Sequence, residues 1–139
     1  MELDCVFCRM IAGEEPASIV YEDEAVFAAM DIVQPGSHKV LVMPRRHVAD
    51  IYELGEDEAG ALFRTVPAIA RGIKRATGCS GLNLLQSNGA DAGQTVFHLH
   101  VHLFPRFSGD GIVFDWPGDF PARPELDRMA EEIARHLDA

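Results

Sequence analysis

Residues 98–103 read His98-Leu99-His100-Val101-His102-Leu103. On an extended strand, side chains two apart share a face. The spacing therefore predicts a strand over 96–104 with three imidazoles on one face and Leu99, Val101 and Leu103 on the other. A polar surface strand that is merely His-rich fits poorly. The opposite face is wholly apolar, and the preceding loop, 87–93, contains Gly89 and Gly93. A metal site made of all three histidines stays open on spacing alone.

The rest of the pattern surrounds that strand with a sheet. Residues 18–22 and 25–32 have a composition suited to half-buried strands, joined by the tight turn Asp23-Glu24. Gln34-Pro35-Gly36-Ser37 is a turn, and 40–43 is a short apolar strand stopped by Pro44. Residues 81–86 form another strand candidate. Cys5–Ile11 reads as a short helix ended by Gly13. Over 56–77, Ala59, Leu62, Phe63, Val66, Ile69, Ala70 and Ile73 recur at helical spacing. Acids Glu56, Asp57 and Glu58 open that helix, bases Arg71, Lys74 and Arg75 close it, and Gly78 follows. Pro67 inside it predicts a kink. A last helix covers 125–137. Hairpins outnumber crossovers, so the fold class is α+β, with a mostly antiparallel sheet of about five strands. No repeat or linker divides the chain. It reads as one domain over 1–139, with a core about 5–107 and a tail and helix over 108–139.

The chain has 139 residues, enough for a core without disulfides. It is 47% hydrophobic and 24% charged, which argues against disorder. The net charge is −10. That excludes a surface for polymeric nucleic acid or anionic membrane, both of which need a basic face. The charge divides into −7 over 1–31, +2 over 32–106 and −5 over 107–139. The middle block, with Lys39, Arg106 and five of the six histidines, is where an anion site is expected. No run approaches the roughly 18 apolar residues of a membrane span. The acidic start does not resemble a secretory signal, so the expected compartment is the reducing cytoplasm.

Cys5-Val6-Phe7-Cys8 has the spacing at which two thiolates share a tetrahedral zinc. Two buried small residues, or a redox pair, are the competing readings. A redox pair ordinarily opens a helix after a strand in a βαβ unit, which this sequence lacks. Zinc needs two more ligands, and His47 and one triad histidine are the obvious supply. Cys79, at a helix-to-strand turn, reads as structural.

Taken together, CVFCRMIAGEEPA, YEDEAVFAAMDI, VLVMPRRHV, GADAGQTVFHLHVHLFPRF and SGDGIVFDWP resemble the histidine triad family of nucleotide-binding proteins, in particular its small bacterial zinc-containing branch. The likeness covers most of the chain. It implies a homodimer that binds a purine nucleotide and cleaves the bond at its α-phosphate through a nucleotidyl-histidine. His100 corresponds to the family nucleophile. His102, Gln94 and Thr95 correspond to donors around the phosphate. Asp31 corresponds to the ribose-binding acid, and Phe7 and Ile32 to the lining of the base pocket. His98 corresponds to a zinc ligand, completing Cys5, Cys8 and His47. Four protein ligands leave no open position, so that zinc is structural.

Two positions depart from the family pattern. Lys39, preceded by His38, stands where relatives carry a histidine, so either Lys39 serves the phosphate or His38 takes the place. Ser87, followed by Asn88, stands where relatives carry an amide. Both departures bear on the leaving group and neither touches His100. The expected activity is hydrolysis or transfer on a nucleoside phosphoramidate or related adenylate. The alternatives are a dinucleoside polyphosphate hydrolase and a non-catalytic dimeric nucleotide sensor.

Overall fold

The computed structural model describes residues 4–138. In chain order it contains α1 (Val6–Ile11), β1 (Ile19–Glu22), β2 (Val26–Met30), β3 (Val40–Pro44), α2 (Glu56–Thr77), β4 (Gly81–Leu85), β5 (Val101–Arg106) and α3 (Arg123–Ala134). The five strands form one sheet in the order β1-β2-β3-β5-β4. Every neighbouring pair is antiparallel, as the α+β reading expects.

Alternation along β2 and β3 feeds two cores. Val26, Ala28, Val40 and Val42 pack beneath α2. Phe27, Ala29, Leu41 and Met43 face the other way, onto Cys5, Phe7 and Cys8 of the α1 region. The half-buried expectation therefore fits neither of the first two strands. β2 is covered on both faces for most of its length, whereas β1 is exposed along all of it. The cause is position: β1 is an edge strand, and α2 packs on β2, β3 and β5.

α2 buries Leu62, Val66, Ile69 and Ile73 on its sheet-facing side. Each such burial contributes roughly 1.5–3 kcal/mol. The Glu58 carboxylate accepts from the Gly55 N–H at 3.2 Å, holding the first turn. Gly78 ends the helix in the left-handed region at φ 67°, where a side chain is strained. The helix runs unbroken through Pro67. Proline removes the N–H that would bond the Phe63 carbonyl, but both residues are exposed and water can take that carbonyl.

β5 begins at Val101, not at residue 96. Residues 96–100 leave the ladder, and the Leu99 N–H instead donates to the Val48 carbonyl at 2.7 Å. Side-chain alternation survives, because Leu99, Val101 and Leu103 all enter the core beneath α2. α3 starts two residues before the expected position, with Pro124 in its first turn, and none of its residues is buried. Among the described residues, no helix is long and apolar enough to cross a membrane.

Candidate active site and metal centre

α1 folds the C-x-x-C segment so that both thiols converge. Cys5 caps the helix, its Sγ accepting from the Cys8 N–H at 3.4 Å. Cys8 Sγ lies 3.4 Å from His47 Nδ1 and 3.6 Å from His98 Nδ1, and Cys5 Sγ lies 3.5 Å from His98 Nδ1. All four ligand atoms fall within 4.8 Å of one another. Zinc bonds of 2.0–2.3 Å in a tetrahedron imply ligand separations of about 3.3–3.8 Å, so the three thiol–imidazole contacts already match a zinc site and the widest pair would draw in on binding.

The tautomer of His98 also suits a metal. Its Nε2 lies 2.8 Å from the Pro44 carbonyl. A carbonyl only accepts, so the proton is on Nε2 and the Nδ1 lone pair faces the thiols. Burial pushes His98 down to about 4, so it is neutral at pH 7. Burial, together with Cys8, raises the Cys5 thiol. All three cysteines are free thiols. The cluster takes only the first triad histidine, so a metal site of all three is not formed.

His100 and His102 lie beside that cluster. His100 Nδ1 is 2.7 Å from the His98 carbonyl, so this nitrogen carries the proton and Nε2 keeps its lone pair. Phe7 meets the His100 ring edge-on, with centroids 5.0 Å apart, and the His100 and His102 centroids are 4.8 Å apart. Burial lowers His100, against the opposing effect of the His98 carbonyl. Burial, helped by His100 and the Lys39 ammonium, pushes His102 down to about 4. His102 Nδ1 is the buried side-chain atom that finds no hydrogen-bond partner among the described residues.

Asp31 follows β2 and Lys39 precedes β3, so the β2–β3 connection brings them together. Lys39 Nζ sits 2.8 Å from Asp31 Oδ2, and His102 Nδ1 is 3.9 Å from the same oxygen. Burial pushes the Asp31 carboxyl up, but Lys39 and the Val33 N–H outweigh it and hold it below the usual carboxylate range. The electropositive centre expected from charge counting is therefore largely neutralised. Lys39 is paired with Asp31, and Arg106 is paired with Asp110. Arg45 and Arg46 are surface ion pairs with Glu22 and Glu58.

Other expected site residues are placed differently. The buried Gln94 amide is used on backbone: Oε1 accepts from the Gly89 N–H, and Nε2 donates to the Ala49 and Val96 carbonyls. It clamps the loop before the triad and offers no free donor. The Asn88 amide is likewise occupied, by Gln86 and the Ile51 N–H. Thr95 is exposed and Ile32 is 95% exposed, whereas Phe7 is buried against the triad. His38 adopts φ 61° and lines a groove beside α2, so it does not take the place of Lys39. Sequence reading missed the carbonyls of Pro44 and His98, because a main-chain acceptor has no residue signature.

A five-stranded antiparallel α+β fold with two neutral imidazoles beside a Cys₂His₂ cluster sets the class. Residues 12–109 match the HIT domain. The chain belongs to the histidine triad (HIT) family. It is 41% identical to SMU.412c from Streptococcus mutans, whose crystal structure superposes with TM-score 0.94 over 99% of this chain and 88% of that one. It is 36% identical to the adenylylsulfatase HINT3 of Arabidopsis thaliana, covering 99% of this chain and 71% of that protein. It is 30% identical to the adenosine 5′-monophosphoramidase hnt1 of Schizosaccharomyces pombe, covering 97% and 99%. A Zn-bound histidine triad protein from Mycobacterium smegmatis is 30% identical, with TM-score 0.76 over 96% of this chain and 99% of that one.

Proposed function

We propose that the protein is a nucleotide hydrolase or transferase that cleaves at the α-phosphate of a purine nucleoside phosphoramidate or related adenylate. The observation that carries this reading is the 2.7 Å contact between His100 Nδ1 and the His98 carbonyl. It leaves a neutral imidazole with Nε2 available, the state a nucleophile at phosphorus needs. His100 Nε2 attacks the α-phosphorus, the bond to the leaving group breaks as that group takes a proton from solvent, and a nucleotidyl-His100 forms; the water of the second step returns a proton to solvent. The positive charge that develops on the ring is shared with the His98 carbonyl through Nδ1–H. Water then attacks phosphorus and releases the monophosphate and the neutral imidazole. His102 lies beside the reacting ring and donates to the phosphoryl oxygens. Asp31 accepts from the ribose hydroxyls, and Lys39 swings from Asp31 to the phosphate. Phe7 supports the His100 ring, Ile32 closes over the base, and Thr95 offers a hydroxyl at the rim. Gln94 and Asn88 act through the loop they hold.

Cys5, Cys8, His47 and His98 would hold one structural zinc, which ties α1 to the triad segment and takes no part in the chemistry. The reading also carries a cytoplasmic homodimer. A relative that cleaves an adenosine phosphoramidate and another that cleaves an adenylyl sulfate support the substrate class. The test is incubation with adenosine 5′-phosphoramidate and with diadenosine tetraphosphate, with mass detection of adenylyl-His100. AMP release from the first, lost in His100→Ala, is expected. A large preference for the second substrate moves the assignment to a dinucleoside polyphosphate hydrolase. Turnover by His100→Ala at the wild-type rate removes the nucleophile, and tight binding without turnover makes the protein a sensor.

A further inference from the structure

The chain contains two asparagines, Asn83 and Asn88, and the second is followed by Gly89. The loop fixes both residues of that dipeptide. Gly89 sits at φ 87° and ψ 158°, a region essentially closed to any other residue. The Asn88 carboxamide uses both its ends. Oδ1 accepts from the Ile51 N–H at 2.8 Å and from Gln86 Nε2 at 2.7 Å, and Nδ2 donates to Gln86 Oε1 at 2.7 Å. An aspartate at 88 keeps the first two bonds and loses the third, because a carboxylate only accepts.

An Asn-Gly pair carries a reaction of its own, one reason asparagine counts as thermolabile. The main-chain nitrogen of Gly89 is the nucleophile and Asn88 Cγ the electrophile. Glycine has no Cβ to hinder their approach. The nitrogen loses its proton and bonds to Cγ. The bond from Cγ to the side-chain nitrogen breaks, and ammonia leaves carrying that proton. Water then opens the resulting cyclic imide at either carbonyl, which leaves aspartate or isoaspartate at 88. Isoaspartate routes the main chain through the side-chain methylene and so lengthens the loop that leads to the triad. Water is the only co-reactant.

Folding holds both reacting groups away from that path. The Gly89 N–H donates to Gln94 Oε1 at 2.7 Å, so its nitrogen can attack only after this bond opens. The Gly89 carbonyl accepts from the Ala92 and Gln94 N–H groups at 3.2 and 3.1 Å, which fixes the residue on its other side. Gln94 is itself buried, and its Nε2 is anchored on the Ala49 and Val96 carbonyls at 2.7 and 3.1 Å. The acceptor that faces Gly89 is therefore held in place and shielded from water. We infer that Asn88–Gly89 is a latent deamidation site and that Gln94 sets its rate, by holding the one main-chain N–H whose nitrogen is the nucleophile. Gln94 thus governs how long the folded loop keeps its covalent structure. This role is independent of the catalytic reading.

Full-length wild type and Gln94→Met, aged in mildly alkaline buffer, test this. Methionine keeps the length of the side chain and removes the acceptor. The tryptic peptide 76–106 contains both asparagines, so mass spectrometry follows Asn88 with Asn83 as the internal reference. Losing the hydrogen bond on the nucleophile is expected to speed conversion at Asn88 about ten-fold, with Asn83 unchanged. Folded wild type is expected to convert at least about ten-fold more slowly than the same chain unfolded in urea. Hydrogen exchange on the wild type needs no variant to fold, and it should find the Gly89 amide protected. A folded Gln94→Met that converts at the wild-type rate overturns the inference. So does a wild type that converts as fast as the unfolded chain, or a Gly89 amide that exchanges without protection. Loss of phosphoramidate turnover alone bears on the catalytic reading and leaves this one standing.

Discussion

Lys39 closes on Asp31, with its ammonium 2.8 Å from the carboxylate oxygen that also faces His102 at 3.9 Å. One acid thus sits between a cation and an imidazole at the mouth of the candidate site. Lys39→Met should raise KM for a nucleotide about ten-fold with a smaller change in kcat, because a phosphate point charge contributes mainly to binding. The same substitution removes a cation that depresses His102 and should move its titration upward. Steady-state kinetics and histidine NMR titration check the two halves separately. An unchanged KM with an unshifted His102 would remove Lys39 from the site.

The four-ligand cluster predicts about one zinc per chain by elemental analysis. Cys8→Ser should lose the metal and lower Tm by on the order of 10 °C, since site and fold form together. A metal-free wild-type protein of equal Tm would reduce the C-x-x-C segment to packing.

Acid should weaken the fold through His98. Its folded value, about 4, lies below the ordinary 6.5 because of burial. The unfolded chain therefore binds the proton first. The stabilisation is complete above about pH 6.5, falls as pH drops towards 4, and is then exhausted. The loss in the metal-free protein is of order 3 kcal/mol. Urea titrations at pH 7, 5.5 and 4 measure it. A flat profile would mean that His98 is solvated.

Pro67 interrupts the hydrogen-bond ladder of α2 at an exposed position. Pro67→Ala should restore the bond to Phe63 and stabilise the protein by about 1–3 kcal/mol, less what proline takes from the unfolded chain's entropy. Urea denaturation of the variant gives the sign. A destabilised variant would show that the α2 geometry depends on proline.

Much of the fold was legible because period and punctuation are local properties. Acids, bases and Gly78 bracket α2 in the sequence and in space. The Leu99–Leu103 alternation predicts which side chains enter the core, even though residues 96–100 leave the ladder. The two-sided burial of β2 was not legible. It depends on α1 folding back over the sheet, a contact between residues far apart in sequence.

The residue types of the chemistry are all written in the chain: three imidazoles at alternate positions, two thiols at C-x-x-C spacing, and an acid and a base eight residues apart. Folding divides them between tasks. It sends His98 to the thiols, leaves His100 and His102 together, and pairs Lys39 with Asp31. It also turns the Gln94 and Asn88 amides onto backbone and loop partners. A side chain's role depends on its hydrogen-bond partners and burial, and neither is a property of residue type. Here the deciding partners are carbonyls of Pro44, His98 and Ala49, which only the folded chain brings within reach.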